Sequence, residues 1–385
     1  MPLTKQQHLD PSLAPKRILA LDGGGIRGVL TLEYLAAIED MLRKRQGDEK
    51  LLLCDYFDLI GGTSTGSIIA AGLACGLSVD QLKQIYTSLG ASAFQAGAFS
   101  GFRLPGVLTP KFPAEPLKKA LDDQLGADTT LGGDKVRTGL MVMTKRLDTG
   151  SPWPLNNGGR GNYAAQDGAL VLSDVVRAST AAPTYFEPEQ IAIHSRSGSV
   201  VNGQFVDGGV SPHNDPALQL LMLAALQGYG LRWRTGKDQL LIISVGTGSY
   251  RSASPSSGLI GGTAAAVGVN ALQSLLDDCA RSNQALLQWL TDCLTRWLID
   301  RAVGDMKPDS AGGPQLATYV RYNVLLEPNW LKDTLGVEYT ADQVTQIQKI
   351  DDPSNIAQLS DLGSKAAAKQ VEAAHLPAAF DLRAS

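Results

Sequence analysis

The first third of the chain alternates short apolar runs with longer segments whose apolar positions recur at helical spacing. Residues 17–21 and 56–60 are apolar runs, and each leads into a glycine-rich stretch. Residues 29–45 and 67–77 carry apolar or small side chains at helical intervals. This order of strand, loop and helix, given twice, predicts an α/β fold with parallel strands, because parallel neighbours need a helical crossover.

The rest of the chain shows the same pattern less regularly. Further apolar runs predict strands at residues 136–143, 205–206 and 240–245. A short helix is expected at residues 175–179, with Ser173 as a candidate N-cap. Residues 151–167 are rich in glycine and proline and predict a surface loop, whereas residues 281–300 predict an amphipathic helix.

A shift in composition after Tyr250 suggests where the chain divides. Residues 252–262 are rich in serine and glycine, as linkers are. We therefore expect a polar extension at 1–15, a core at 16–250, and a mainly helical region at 251–385 that packs on the core.

Composition narrows the function classes. Of 385 residues, 44% are hydrophobic and 19% are charged, which is a globular composition. The net charge of −4 argues against a broad surface for duplex nucleic acid, although it leaves room for a pocket that holds one nucleotide. The 41 glycines exceed the usual share and point to special backbone geometry somewhere in the fold.

The cysteines and apolar stretches bear on location. Four cysteines without C-x-x-C spacing predict neither a disulfide scaffold nor a zinc site. Residues 1–16 are polar and lack the apolar segment of a secretory signal. Residues 59–79 and 252–276 are uncharged and long enough to span a bilayer, but glycine, serine, threonine and alanine dominate them. We expect a cytoplasmic protein with no transmembrane helix.

The pentapeptide Gly62-Thr63-Ser64-Thr65-Gly66 fits the pattern G-x-S-x-G. It lies between a predicted strand and a predicted helix, which is the context that this motif requires. Flanking glycines let the chain turn sharply and expose the serine hydroxyl at the carboxyl end of the strand. Ser64 is therefore a candidate nucleophile, with Gly62 and Gly66 as the glycines of its turn.

A second glycine motif, Gly23 to Gly28, follows the first predicted strand and satisfies G-x-G-x-x-G. A dinucleotide fold would need an acidic residue at the end of its second strand, and Asp58 lies on the wrong side of that turn. A phosphate-binding P-loop fails at residues 61–67, since Ser67 stands where that motif has lysine.

The two glycine loops make better sense together. Neighbouring parallel strands place both loops at the same edge of the sheet. Backbone amides of the first loop can then form an oxyanion hole beside Ser64, from Gly23, Gly24 and Gly25. Arg27 adds a positive charge, which serves either this site or an ion pair that stabilises the fold.

A nucleophilic serine needs a base, and two candidates remain open from the residues alone. Of the four histidines, His213 is the best placed, because the others lie in the polar ends or in a hairpin-like segment. Asp207 follows a short strand and precedes Gly208 and Gly209. It could take the serine proton directly if burial raised its pKa, but Asp-Gly also fits a hairpin turn.

Together these motifs resemble the patatin-like phospholipases in sequence, order and spacing. The resemblance rests on Asp22-Gly-Gly-Gly-Ile-Arg-Gly28, Gly62-Thr-Ser-Thr-Gly66 and Asp207-Gly-Gly209, with support from residues 177–186 and 243–248. It extends over residues 16–250. It implies a three-layer α/β sandwich with a largely parallel central sheet and helices on both faces.

The resemblance also implies roles for the residues. Ser64 would be the nucleophile and Asp207 the base of a Ser-Asp dyad, which hydrolyses fatty-acyl esters through an acyl-serine intermediate without a metal or a cofactor. The family's oxyanion hole corresponds to Gly23, Gly24 and Gly25, with Arg27 beside it. The remaining motif glycines are Gly28, Gly62, Gly66, Gly208 and Gly209.

A finer resemblance concerns regulation. The segment Gly150-Ser-Pro-Trp-Pro-Leu-Asn-Asn157 and the overall layout look like bacterial patatin-like effectors of anti-phage signalling. That subgroup implies a cyclic di- or trinucleotide activator and the cell's own membrane phospholipid as substrate. A homodimer or a higher oligomer fits this reading. The triplet Arg232-Trp233-Arg234 is a candidate nucleotide contact but is better explained as a partly packed surface segment.

The substrate then requires transient association with the inner membrane. Candidate contacts are the loop 94–108, which could also form a lid, and the helix 281–300 with Trp289 and Trp297. Packing within the protein explains that helix better than lipid does.

Other functions stay open as alternatives. A soluble esterase or thioesterase would use the same dyad on a different substrate. A nucleotide-binding signalling module without lipase activity, or a storage protein, would tolerate losses at Ser64 or Asp207, so the complete motif set argues against both.

Overall fold

The computed structural model describes residues 2–86, 112–194, 198–251, 264–309 and 311–382, with the backbone alone for 264–274. Within that part of the chain nine strands form one mixed sheet. The strands are β1 Lys16–Leu21, β2 Leu59–Thr63, β3 Gly139–Arg146, β4 Pro152–Asn156, β5 Glu189–His194, β6 Val200–Asp207, β7 Leu240–Val245, β8 Asp292–Cys293 and β9 Thr318–Tyr322.

The sheet has a parallel centre and an antiparallel side. Its order is β5-β6-β3-β2-β1-β7-β9-β8, and β4 pairs separately with β3. The strands from β3 through β8 along that order run parallel, whereas β4, β5 and β6 are antiparallel to their neighbours. Leu21 at the end of β1 pairs with Gly62 in β2, so the loops after both strands leave from one edge.

Helices cover the sheet in the described ranges. They are α1 Lys5–Leu9, α2 Gly28–Gln46, α3 Leu53–Tyr56, α4 Thr65–Ala74, α5 at 79–86, α6 Glu115–Leu125, α7 Ala164–Gly168, α8 Leu172–Ser179, α9 Ala217–Ala225, α10 Ala264–Leu290, α11 Pro328–Trp330, α12 Ala341–Gln348 and α13 Ile356–Gln370.

The two faces of the sheet carry separate cores. In β1, Leu19 and Leu21 face a cluster built with α2, α4, α8 and α13, whereas Ile18 and Ala20 face a second cluster built with α9 and Leu287 of α10. Successive strand residues point to opposite faces, so a strand covered on both sides is apolar throughout. The expected α/β sandwich, with a largely parallel sheet and helices on both faces, is confirmed.

Several predicted elements differ in detail. The helix expected at 281–300 begins earlier, as α10, and ends at Leu290 because Asp292 and Cys293 pair with β9 instead. Trp297 lies beyond the helix and stacks on Trp330, whereas Trp289 is exposed. The loop expected at 151–167 contains β4 and α7.

The expected N-cap of α8 is also wrong. The helix begins at Leu172, one residue before Ser173. The Ser173 hydroxyl donates a hydrogen bond to Asp122 and accepts one from Lys118, both on α6. This contact between helices replaces the local cap.

The region after residue 250 continues the sheet and covers it. Strand β9 lies beside β7, and α13 packs against α2. Gly363 lets those helices approach closely, since a Cβ there would lie 3.0 Å from the Cβ of Glu33 and 3.1 Å from the Cα of Leu30. The division of the chain near residue 250 stays a prediction.

Two expectations concern membrane contact. Among the described residues, none of the helices combines the length and the apolar character needed to cross a bilayer. The loop 94–108 lies outside the described residues.

Trp233, the centre of the triplet considered for nucleotide contact, is buried and donates a hydrogen bond to the Leu9 carbonyl.

The contact between α13 and α2 predicts a stability change. Gly363→Leu should lower the free energy of unfolding by about 1–3 kcal/mol, because the added side chain has to force α13 away from α2. Chemical denaturation measures this. Ser364→Leu is the matched control, since Ser364 is exposed on the same helix and should change stability by less than about 0.5 kcal/mol. Equal effects of the two substitutions would argue against this packing.

Candidate active site

Ser64 occupies a strained turn between β2 and α4. Its backbone has φ 53° and ψ −125°, a conformation that a residue with a side chain rarely adopts. The helix α4 begins at the next residue, and the Ser67 hydroxyl donates a hydrogen bond of 2.6 Å to the Ser64 carbonyl. The turn therefore holds the Ser64 side chain at the strand end, as the G-x-S-x-G pattern predicts.

Close backbone approaches explain the glycines around this turn. A Cβ on Gly62 would lie 2.1 Å from the Gly66 carbonyl oxygen, and one on Gly66 would lie 2.3 Å from the Leu21 carbonyl oxygen at the end of β1. A Cβ on Gly23 would lie 3.0 Å from the Cβ of Ser64. The first glycine loop and the candidate nucleophile are thus in direct contact.

Asp207 is the residue that the structure brings to the Ser64 hydroxyl. It is the last residue of β6, and its backbone pairs with Thr144 of β3. Ser64 Oγ donates a hydrogen bond of 2.6 Å to Asp207 Oδ2. The other carboxylate oxygen, Oδ1, accepts a hydrogen bond of 2.7 Å from the Gly209 amide. Asp207 is not part of a hairpin turn, since a 3₁₀ turn follows it.

The histidines lie elsewhere. His213 accepts a hydrogen bond from the Thr63 hydroxyl through its backbone carbonyl, but its ring has no hydrogen bond to Ser64 in the described part of the chain. His8 pairs with Asp58, and the others bond to Gly198 and Tyr322. Of the bases that the sequence left open, only Asp207 reaches the serine hydroxyl among the described residues.

Burial sets the proton affinity of Asp207. The residue is 5% exposed, and the loss of water raises the pKa of its carboxyl group to about 6. The hydrogen bonds from Ser64 and Gly209 stabilise the ionised form and oppose this shift. A carboxylate with this pKa is a stronger base than an exposed one and is still ionised at neutral pH.

The glycine loop offers two of its three expected amides. The Gly23 amide donates to the Asn214 carbonyl at 3.2 Å, so it is already engaged. Within the described residues, the amides of Gly24 and Gly25 have no acceptor. The loop is fixed by its carbonyls instead: Gly23 accepts from Thr247 at 2.8 Å, and Gly25 accepts from Tyr86.

The other motif residues surround this centre. Arg27 is buried over the ring of Tyr250, with its guanidinium 5.7 Å from the ring centroid. A Cβ on Gly28 would collide with the Tyr86 hydroxyl, and one on Gly208 would lie 2.3 Å from the Met143 carbonyl oxygen. These glycines allow packing around the site, and their catalytic significance stays a prediction.

The motifs do not predict one residue that positions Ser64. Ser179, the last residue of α8, accepts a hydrogen bond of 2.9 Å from the Ser64 amide. Its hydroxyl donates in turn to the Met143 carbonyl at 2.6 Å. Ser179 lies inside the segment 177–186 that supports the family resemblance, which is the signal that could have drawn attention to it.

A second missed residue comes from the C-terminal region. Arg321 in β9 donates two hydrogen bonds to Asp22, of 2.8 and 2.5 Å, and one of 2.6 Å to the Ser244 hydroxyl. Asp215 completes the cluster, 3.4 Å from the same guanidinium. The pair is buried and anchors the start of the glycine loop. No local motif marks Arg321, so the sequence offered no signal for it.

The arrangement has the parts that acyl transfer needs. A hydroxyl lies against a buried carboxylate, and two free amides lie on the neighbouring loop. Among the described residues, no group of three or more potential metal-binding side chains comes together. The hydroxyl, the buried carboxylate and the two amides fit a serine hydrolase.

Comparison with known proteins gives the class a family. A family model described as "Patatin-like phospholipase" matches residues 19–221, which is just over half of the chain. The chain belongs to the patatin-like phospholipase family.

Curated relatives narrow the likeness further. A "cGAMP-activated phospholipase" of Escherichia coli is 31% identical over 62% of this chain and 64% of its own length. A protein of the same name from Vibrio cholerae is 33% identical over 51% of this chain and 55% of its own. "Patatin group J-1" of Solanum tuberosum is 27% identical over 60% of each. The chain spans less than two thirds of the length of these relatives.

The buried Asp22–Arg321 pair predicts a loss of stability when it is broken. Arg321→Met should lower the free energy of unfolding by about 3–5 kcal/mol, because it leaves Asp22 buried without its partner. Denaturant unfolding measures the change. Arg301→Met, at an exposed position, is the matched control and should stay within about 0.5 kcal/mol of the parent. A loss no larger than that of the control would contradict the pairing.

Proposed function

We propose that this protein is a lipid acyl hydrolase that cleaves fatty-acyl esters of membrane phospholipids with a Ser64–Asp207 dyad. The observation that carries the proposal is the 2.6 Å hydrogen bond from Ser64 Oγ to Asp207 Oδ2. Membership of the patatin-like phospholipase family supports the substrate class. A soluble esterase would share the dyad, so the substrate has to be tested separately.

In the first step Ser64 Oγ attacks the carbonyl carbon of the ester while Asp207 Oδ2 takes the hydroxyl proton. The tetrahedral intermediate places a negative charge on the former carbonyl oxygen. The amides of Gly24 and Gly25 are free to bind this oxygen, and each such donor is worth a few kcal/mol in related chemistry. The carbon–oxygen bond to the leaving alcohol then breaks, and the alcohol takes the proton from Asp207.

The second step restores the enzyme. Asp207 removes a proton from a water molecule, whose oxygen attacks the acyl group on Ser64. The bond to Ser64 Oγ breaks, the serine recovers its proton from Asp207, and a free fatty acid leaves. The raised pKa of Asp207, about 6, suits a group that must accept and return a proton at neutral pH.

Contact with the lipid would be peripheral. Exposed apolar side chains lie on and after α10, namely Leu275, Leu286, Trp289, Leu298 and Val303. Leucine and tryptophan side chains of this kind can enter the interfacial layer of a bilayer. We propose transient association with the inner membrane of a bacterial cell.

Regulation by a cyclic nucleotide is the finer part of the proposal. Two bacterial relatives carry the name "cGAMP-activated phospholipase". By analogy, this chain would be a membrane-degrading effector of anti-phage defence that a cyclic di- or trinucleotide switches on. A homodimer or a higher oligomer is compatible with this proposal.

The dyad predicts loss of hydrolysis on substitution of either member. Ser64→Ala removes the nucleophile and Asp207→Ala removes the base, so each should lower fatty-acid release from phospholipid vesicles by about three orders of magnitude or more. Release of fatty acid by the purified full-length variants, with and without cGAMP, measures this.

Two controls sharpen that experiment. Asp123→Ala, which removes an exposed carboxylate paired with Lys119, should keep the parent rate. A soluble short-chain ester assayed beside the vesicles separates a phospholipase from a soluble esterase. Full activity of either dyad variant would refute the dyad, and activity on the soluble ester alone would refute the lipid substrate.

The pH profile provides a further test. Asp207 has to be ionised to accept the serine proton, and burial raises its pKa to about 6. The kcat/KM for a soluble ester should therefore fall tenfold per pH unit well below 6 and level off above about 7. A soluble substrate avoids changes in vesicle charge. A fall in kcat/KM whose midpoint lies near pH 4, in the range of an exposed aspartate, would contradict the assignment of Asp207 as the base.

A further inference from the structure

A cavity of about 600 Å³ borders the glycine loop. Asp22, Arg27 and Thr247 line it, together with residues of α10 and of the C-terminal region. Neither Ser64 nor Asp207 is among the described residues that line it. The lining residues Asp22 and Arg27 flank the glycine loop, so the cavity adjoins the candidate active site.

Arg27 lines this cavity with a buried side chain whose hydrogen-bonding groups are only partly satisfied by the described residues. It is 8% exposed, and its Nε and Nη1 atoms have no hydrogen-bond acceptor in the described part of the chain. Asp277 also lines the cavity, and its carboxylate and that of Asp22 oppose the lowering of the Arg27 pKa by burial, although neither forms a hydrogen bond with Arg27 among the described residues. A buried guanidinium group with two nitrogen atoms that lack acceptors is costly, so this position favours a ligand with an anionic acceptor.

The wall of the cavity also includes aromatic surface, formed by Trp297 and Trp330. Trp297 and Trp330 both line the cavity and stack on each other, with ring centroids 6.2 Å apart. Tyr250 also lines the cavity, with its ring against the Arg27 guanidinium. Flat aromatic surfaces near an arginine suit a ligand that has both a planar ring and an anionic group.

The wall of the cavity also holds the glycine loop in place. Thr247 donates a hydrogen bond to the Gly23 carbonyl, and Arg321 binds the Asp22 carboxylate at the start of the loop. Thr247, Arg321 and Asp22 all line the cavity. A ligand that contacts Arg27 would therefore change the position of the neighbouring backbone, which carries the Gly24 and Gly25 amides.

We propose that this cavity binds a small molecule that carries phosphate and a planar ring, and that its binding raises the activity of the adjacent site. The phosphate lies against Arg27, and the ring lies on the aromatic wall. The inference rests on the proposed function for its effect on hydrolysis, but the binding itself does not. The volume of the cavity lies in the range that holds molecules of nucleotide size.

Filling the cavity tests the assignment. Ala280 of α10 lines it, so Ala280→Trp should block the space, whereas Ser282→Trp adds the same side chain at an exposed position of the same helix. Binding of cGAMP is measured by isothermal titration calorimetry in the full-length Ser64→Ala protein, which prevents turnover. Ala280→Trp should weaken binding at least about tenfold, and Ser282→Trp should leave it unchanged.

Arg27 provides a second measurement on the same background. Arg27→Gln should also weaken cGAMP binding at least about tenfold, because the phosphate loses its cation. A thermal unfolding scan of each variant establishes that it is folded. Absence of cGAMP binding to the Ser64→Ala protein, or binding that Ala280→Trp and Arg27→Gln leave unchanged, would overturn the proposal.

Activity separates this inference from the proposed function. With Ser64 intact, cGAMP should raise fatty-acid release, and Ala280→Trp should abolish the rise while leaving the basal rate as it was. If the protein hydrolyses vesicles but the cavity variants change neither the binding of cGAMP nor the rise in activity that it causes, the cavity site is refuted and the phospholipase activity stands. The expected binding pattern without hydrolysis would refute the phospholipase and leave the binding site standing.

Discussion

The candidate site depends on one close crossing of backbone where β2 turns into α4. Gly62 and Gly66 meet there with no room for a Cβ, and Gly66 lies equally close to the carbonyl at the end of β1. This contact draws the two strand ends and the helix together. It places Ser64 at a positive φ, with its hydroxyl directed at Asp207. A side chain at either glycine would push apart the elements that hold Ser64, Asp207 and the glycine loop.

Burial supplies the chemistry that this geometry makes available. Burial at the end of β6 raises the pKa of Asp207, the proposed base, to about 6, and the helix start at Ser64 suits developing negative charge. Arg321 in β9 binds Asp22 at the start of the glycine loop. Strand β9 lies two positions from β1 in the sheet and beyond the segment that the family model matches. The C-terminal region thus contributes to the site as well as to the core.

Much of this could be predicted from sequence, because strands, glycine loops and nucleophile are adjacent along the chain. The run at 17–21 is β1 but for one residue, and the two loops do lie at one edge. Contacts between distant segments could not be predicted. Ser179 and Arg321 reach the site only because the fold brings distant segments of the chain together. Helix α10 ends at Leu290 because residues shortly after it pair with β9, and hydrophobic spacing alone does not reveal that pairing.

The most direct test of the central claim is covalent labelling of the nucleophile. A fluorophosphonate reacts with an activated serine: the serine oxygen bonds to phosphorus, fluoride leaves, and the base takes the proton. Mass spectrometry of the labelled full-length protein should locate a single adduct on Ser64, and Asp207→Ala should slow its formation by orders of magnitude. An adduct on another residue, or labelling of Ser64 that the loss of Asp207 leaves unchanged, would contradict the account.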